Sequence, residues 1–246
     1  MTLKPKPQKS SRKKASPSLR FPKGMRPFVS DEVYHLLAEE YGPAPWAPRH
    51  DGVSELVACI LSQHTSDLNS EKAFETLVRR YPTWQSVIDA PTPEVVDTIR
   101  NGGLAQQKGP RIQNVLRRVL DLRGEFDLDF LKDMPLDEAK AWLKQLPGVG
   151  PKTAAIVLCF AMGMPAMPVD THIYRVSRRL GLIGPKVTAD QAHDLLEPSV
   201  SPEQVFPFHV YLINHGRRVC KAPKPLCGRC TLAHRCPSRL EEPAIG

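Results

Sequence analysis

The chain has 246 residues, enough for one large core or two modest ones, and its 41% hydrophobic content is that of a globular protein rather than a disordered chain. Its formal net charge is +8, yet residues 1–27 hold nine of the 34 Lys and Arg and no acid, leaving 25 basic and 26 acidic residues elsewhere. No apolar run approaches the roughly 20 residues of a membrane span, and the basic start lacks the apolar segment of a secretory signal, so a soluble, intracellular protein is expected.

The tail, residues 1–27, is rich in Pro and Ser and reads as a disordered arm able to make salt-dependent contacts with a polyanion, or as a solvated solubility tail. Beyond it helix signals dominate. Ser30 and Asp31 can cap EVYHLLAEEYG, Asp51 can open GVSELVACILSQ, Ser70 can open EKAFETLVRRY, and Thr92 with Pro93 opens EVVDTIRNGG. Further helices fit RIQNVLRRVLDLRG, LDEAKAWLKQ, KTAAIVLCFAMG, THIYRVSRRLGL after Asp170, ADQAHDLLEP after Thr188, and PEQVFPFHVYLINHGRR. Alternating strand patterns are scarce, and 25 prolines disfavour long uninterrupted helices, so the expected fold is all-α, an array of helices joined by short connections.

Between two of these helices lies LPGVGPKTAA, Leu146 to Ala155. A phosphate-cradling nucleotide loop needs lysine directly after its last glycine; here Pro151 separates Gly150 from Lys152, and Gln145 stands where the first glycine belongs. Pro151 is instead a natural first helical residue, so the stretch reads as helix, tight turn, helix. The turn offers backbone N–H groups at a helix start, a ready phosphate site.

Four of the six cysteines, Cys220, Cys227, Cys230 and Cys236, are spaced C-x6-C-x2-C-x5-C. Four soft ligands in one short loop call for a metal, since disulfides are disfavoured in a reducing cytosol. One knuckle with wider flanking gaps suits a loop wrapped around a four-iron cluster better than a zinc ribbon, although thiolates alone leave zinc open. Around the loop stand Arg217, Arg218, Lys221, Lys224, Arg229, Arg235 and Arg239, a basic knob suited to phosphates. Cys59 and Cys159 sit in apolar helical stretches and read as core thiols.

LPGVGPKTAA, VDTHIYRV from Val169, HGRRVC from His215, the four-cysteine loop and LSQHTSD from Leu61 together make the chain resemble the endonuclease III family of DNA glycosylases and abasic-site lyases, the iron-sulfur members of the helix-hairpin-helix superfamily. The resemblance implies two helical lobes with a cleft between them: a helical domain over 51–163 containing the hairpin at about 136–163, and a cluster domain built from 28–50 and 164–240, with 241–246 a C-terminal tail. It implies a [4Fe-4S] cluster on the four cysteines, a monovalent cation at the hairpin turn, and damaged double-stranded DNA as the partner of a monomer. A bacterial protein of this kind works in the cytoplasm at the nucleoid; a nuclear or organelle address stays open for a eukaryote.

By the same resemblance, Lys152 is the amine that attacks the sugar and Asp170, 18 residues on, its carboxylate partner. A helix N-terminus disfavours the charge on such a lysine, whereas Asp170 also suits a plain N-cap. Gly148 and Gly150 are expected at the DNA backbone, Leu104 in GGLAQQKG as a wedge between bases, Gln63 and His64 at the second inserting loop, and His172 in support of the site. Two positions depart from the family pattern: His64 replaces a glutamine, and Ala105 an aromatic residue. The expected reaction is excision of oxidised pyrimidines with β-elimination. A monofunctional mismatch or damaged-base glycosylase and a non-catalytic DNA-binding or redox-sensing module are the alternatives.

Overall fold

The structure is a computed structural model that describes residues 26–240; most of the basic tail and the last six residues lie outside the described residues. Eleven α-helices and short 3-10 turns make up its regular structure, with no strand among the described residues, so the fold is all-α as expected.

The helix starts follow local capping chemistry. Helix α1 (Ser30–Tyr41) begins after Val29, whose N–H donates to the Glu32 carboxylate at 3.2 Å; Ser30 enters the helix and meets Ser199 Oγ at 2.7 Å instead of capping. Helix α2 (Gly52–Ser62) is capped by Asp51, which accepts from the Ser54 N–H at 2.9 Å. Helix α3 (Asp67–Arg80) starts earlier than Ser70 because Ser66 provides the cap. After α4 (Trp84–Asp89) and α5 (Thr92–Thr98) comes α6 (Ala105–Arg123), which runs through Gly109 and Pro110. That dipeptide reads as a breaker, but a Cβ at Gly109 would lie 2.6 Å from Val96 Cγ2, so the glycine is what lets α6 pack on α5.

Helices α7 (Leu136–Leu143) and α8 (Pro151–Ile156) flank the hairpin, and α8 continues into a π-helical turn over Val157–Ala161. Then follow α9 (Thr171–Leu180), α10 (Ala189–Leu196) and α11 (Val205–Arg218). Two apolar cores result. One gathers α2 to α8, with Leu56, Ile60, Ile112 and Leu116 fully buried; the other joins α1 to α9, α10 and α11 around Leu37, Ile173 and Phe208. The π turn serves both: Val157 and Leu158 face the first core, while Cys159 joins the second and Phe160 packs against it. The widened turn shifts side-chain register mid-helix, which is how one short helix reaches two cores.

Polar ties cross between the cores. Lys140 pairs closely with Glu197, and Arg217 with Asp67 at 2.7 Å. On the second core's own side, Trp46, in the connection after α1, donates its indole N–H to the Cys159 carbonyl at 2.8 Å. Cys59 and Cys159 are both buried, as core thiols should be.

Candidate active site

The hairpin is pinned from below and open above. Leu146 and Val149 are buried in the first core, whereas Gly148, Gly150 and Lys152 face solvent. Gly148 has φ +79°, so the backbone demands glycine, and a Cβ there would lie 2.9 Å from Arg111 Cδ, a flexible side chain that would have to shift. Gly150 is extended at φ −97°, and a Cβ on it would meet nothing within 4 Å; the chain's own packing leaves that face of the turn empty. Lys152 is the second residue of α8 and its side chain is exposed at the positive end of the helix.

Asp170 caps α9, its Oδ1 accepting from the Ile173 N–H at 2.7 Å. The segment leading to it is held by two buried histidines absent from the sequence expectations. His193 Nδ1 lies 2.9 Å from the Met167 carbonyl and His209 Nδ1 2.9 Å from the Pro168 carbonyl. A carbonyl only accepts, so each Nδ1 carries the proton. Burial pushes His193 down and His209 down to about 4, so both are neutral near pH 7. The charges of Asp170 and Lys152 both act on His209, raising and lowering its pKa respectively. His172 is half-buried, and its polar contact is Arg175, 3.2 Å from Nδ1; Arg175 also donates to the Gly216 and Cys220 carbonyls. That contact turns His172 toward the cysteine loop.

The remaining expected residues sit on two adjacent loops. Gln63 accepts from Arg111 Nη1 at 2.8 Å, so Arg111 links this loop to the Gly148 turn. His64 is exposed at φ 53°, and Leu104, the residue before α6, is 47% exposed at φ 50°. Among the described residues these two alone carry positive φ without being glycine. A branched apolar side chain in left-handed backbone is strained, and strain of that kind collects at functional loops.

Cys220, Cys227, Cys230 and Cys236 line a common cavity closed by Val176 and Arg179. Arg179 Nη1 lies 3.4 Å from Cys220 Sγ, and His215 Nε2 3.4 Å from Cys230 Sγ. Burial pushes the Cys230 thiol up to about 12 and raises Cys236. The surrounding basic knob is smaller than the sequence suggests, because Arg235 pairs with Glu32 and Arg217 with Asp67.

Residues 57–202, which include both loops, the hairpin, Lys152 and Asp170, match the family model of HhH-GPD superfamily base excision DNA repair proteins. The chain belongs to that family. Endonuclease III of Thermotoga maritima is 35% identical over 181 residues, which is 74% of this chain and 80% of the relative. A longer relative from Arabidopsis thaliana is 33% identical over 175 residues, 71% of this chain but 57% of the plant protein. The fold matches the structure of a trapped endonuclease III–DNA covalent intermediate with a TM-score of 0.73 at 31% identity, covering 86% of this chain and 97% of the other. The cysteine loop lies beyond the part that the HhH-GPD model covers. Among the described residues no helix is long and apolar enough to cross a membrane.

Proposed function

We propose that this HhH-GPD protein is a bifunctional DNA N-glycosylase and abasic-site lyase that removes oxidised pyrimidines from duplex DNA. The observation that carries the reading is the exposed Lys152 in the first turn of α8, directly after a hairpin whose Gly150 face is clear, with Asp170 fixed as the cap of α9. The open face at Gly150 and the N–H groups at the start of α8 take a DNA phosphate, a contact independent of sequence. A monovalent cation at the same turn would be held by backbone carbonyls of residues 146–150. We assign a hairpin domain to residues 51–163 and a cluster domain to 28–50 and 164–240, acting as one monomer; in a bacterial cell it would work in the cytoplasm.

In the reaction the uncharged Lys152 Nζ attacks C1′ of an extruded nucleotide, and the base departs with the electrons of the glycosidic bond and takes up a proton. Asp170 balances the positive charge that develops on the sugar and accepts the proton from the attacking nitrogen. The nitrogen lone pair then breaks the C1′–O4′ bond, O4′ taking up a proton as the sugar ring opens to an imine; the imine acidifies C2′, loss of that proton expels the 3′ phosphate, and water then releases the lysine. Neutral His209 keeps the backbone before Asp170 in place without adding a competing cation.

The four cysteines fit a [4Fe-4S] cluster. They share one cavity, yet among the described residues no three His, Cys, Asp or Glu side chains converge as a single ion requires. Such a cluster would tie the loop after α11 to α9, with Arg179 and His215 beside its sulfurs.

The test is incubation with duplexes bearing an oxidised pyrimidine, following released base and strand cleavage together, on protein assayed for iron and sulfide. Base release with matching cleavage and iron-bearing protein is expected. Base release with intact strands would make the enzyme monofunctional, and binding with neither would leave a non-catalytic module.

A further inference from the structure

The loops carrying His64 and Leu104 are tied by a single buried ammonium. Lys108, in the first turns of α6, is 2% exposed, and its Nζ donates to the Leu61 carbonyl at 2.6 Å, to Thr65 Oγ1 at 2.6 Å and to the Gly102 carbonyl at 2.7 Å. These three acceptors use all the donors of the ammonium. The Thr65 hydroxyl closes the knot by donating to the Gly102 carbonyl. The acceptors come from both loops: Leu61 and Thr65 bracket His64, and Gly102 lies two residues before Leu104.

This is a costly place for a cation. It is out of water, near the positive end of a helix, and beside Arg111. Burial and Arg111 lower its pKa to about 8, which still leaves it an ammonium near pH 7. Simple packing at this point would be served by leucine or methionine. What the ammonium supplies and an apolar side chain cannot is a fixed spacing between two strained loops.

We propose that Lys108 is a positioning residue whose ammonium holds the His64 and Leu104 loops at one separation, so that both side chains enter the base stack together. The proposal rests on the DNA-repair reading above and concerns extrusion rather than the bond-making step. An uncoupled pair would still present each side chain, but filling the vacated space would then require ordering two loops at once.

The experiment uses the full chain and a duplex containing a tetrahydrofuran abasic analogue with 2-aminopurine opposite it, so that fluorescence reports displacement of the orphan base without any chemistry. Wild type, Lys108→Met, Thr65→Val, Leu104→Ala and the Lys108→Met/Leu104→Ala double variant are compared at saturating protein. We expect Lys108→Met to slow the fluorescence rise about tenfold or more, Thr65→Val to slow it less, and Leu104→Ala to add less than about twofold once Lys108 is replaced. A wild-type rise in Lys108→Met, or fully additive effects in the double variant, would overturn the clamp. Should Lys108→Met fail to fold, an unchanged rise in Thr65→Val would overturn it equally. No response from wild type would instead overturn the DNA-repair reading, which keeps the two failures apart.

Discussion

Single residues show where stability has been given up. Leu104 holds φ 50° while almost half exposed, an arrangement that gains little burial and costs about 1 kcal/mol of backbone strain. Replacing it with glycine relieves the strain and removes the wedge. We expect Leu104→Gly to leave the melting temperature unchanged or raise it by up to about 3 °C, while excision on duplex DNA falls. A lower melting temperature with unaltered excision would make Leu104 an ordinary anchor for α6. The placement of Lys152 at a helix start and of Asp170 at a cap was readable because those signals are local, a proline at the first helical position and an acid before the helix. Lys108, Arg111 and His209 were not: apart from the Gly102 carbonyl that Lys108 also meets, the partners cited for them are 41 to 48 residues away in the chain, and only folding supplies them.

At the scale of elements, capping chemistry located most helices, and tertiary contacts moved their ends. Helix α3 gained a turn because Ser66, not Ser70, faces the open N–H groups, and α6 absorbed a Gly-Pro pair whose glycine the packing of Val96 requires. The π turn after α8 leaves no mark in hydrophobic periodicity, since every residue of VLCFA is apolar or nearly so. The entrance to α2 carries a buried device of its own. Glu55 has no exposed surface, and both its oxygens accept from Arg49, whose guanidinium also lies 5.4 Å from the Phe160 ring centroid. Arg49→Met strands a buried carboxylate and should cost about 3–5 kcal/mol in denaturant unfolding, whereas the joint Arg49→Met/Glu55→Leu change should recover much of it. Equal losses in both would show that packing on Phe160, not charge, is what Arg49 contributes.

For the whole molecule, the candidate site depends on two cores staying in register, and the segment ahead of Asp170 is where acid should loosen them. His209 has a folded pKa near 4, below the usual 6.5, so the native state binds fewer protons than the unfolded chain between those values. Its contribution is therefore complete above about pH 6.5 and is lost as pH falls toward 4, up to about 3 kcal/mol, with His193 acting in the same direction. The facing groups, Asp170, Lys152 and His193, leave that sign unchanged, since burial is the largest cause. Melting curves from pH 7.5 to 4.5 should show a steep loss that His209→Gln flattens; an unflattened curve would place the acid sensitivity elsewhere.

In the proposed reaction Lys152 forms the covalent bond to DNA. Borohydride added during reaction with an abasic-site duplex should yield a stable protein–DNA adduct, with the modified peptide containing Lys152. Lys152→Ala should abolish the adduct while still binding the duplex. An adduct of wild-type yield in Lys152→Ala, or one mapped to another residue, would contradict the account.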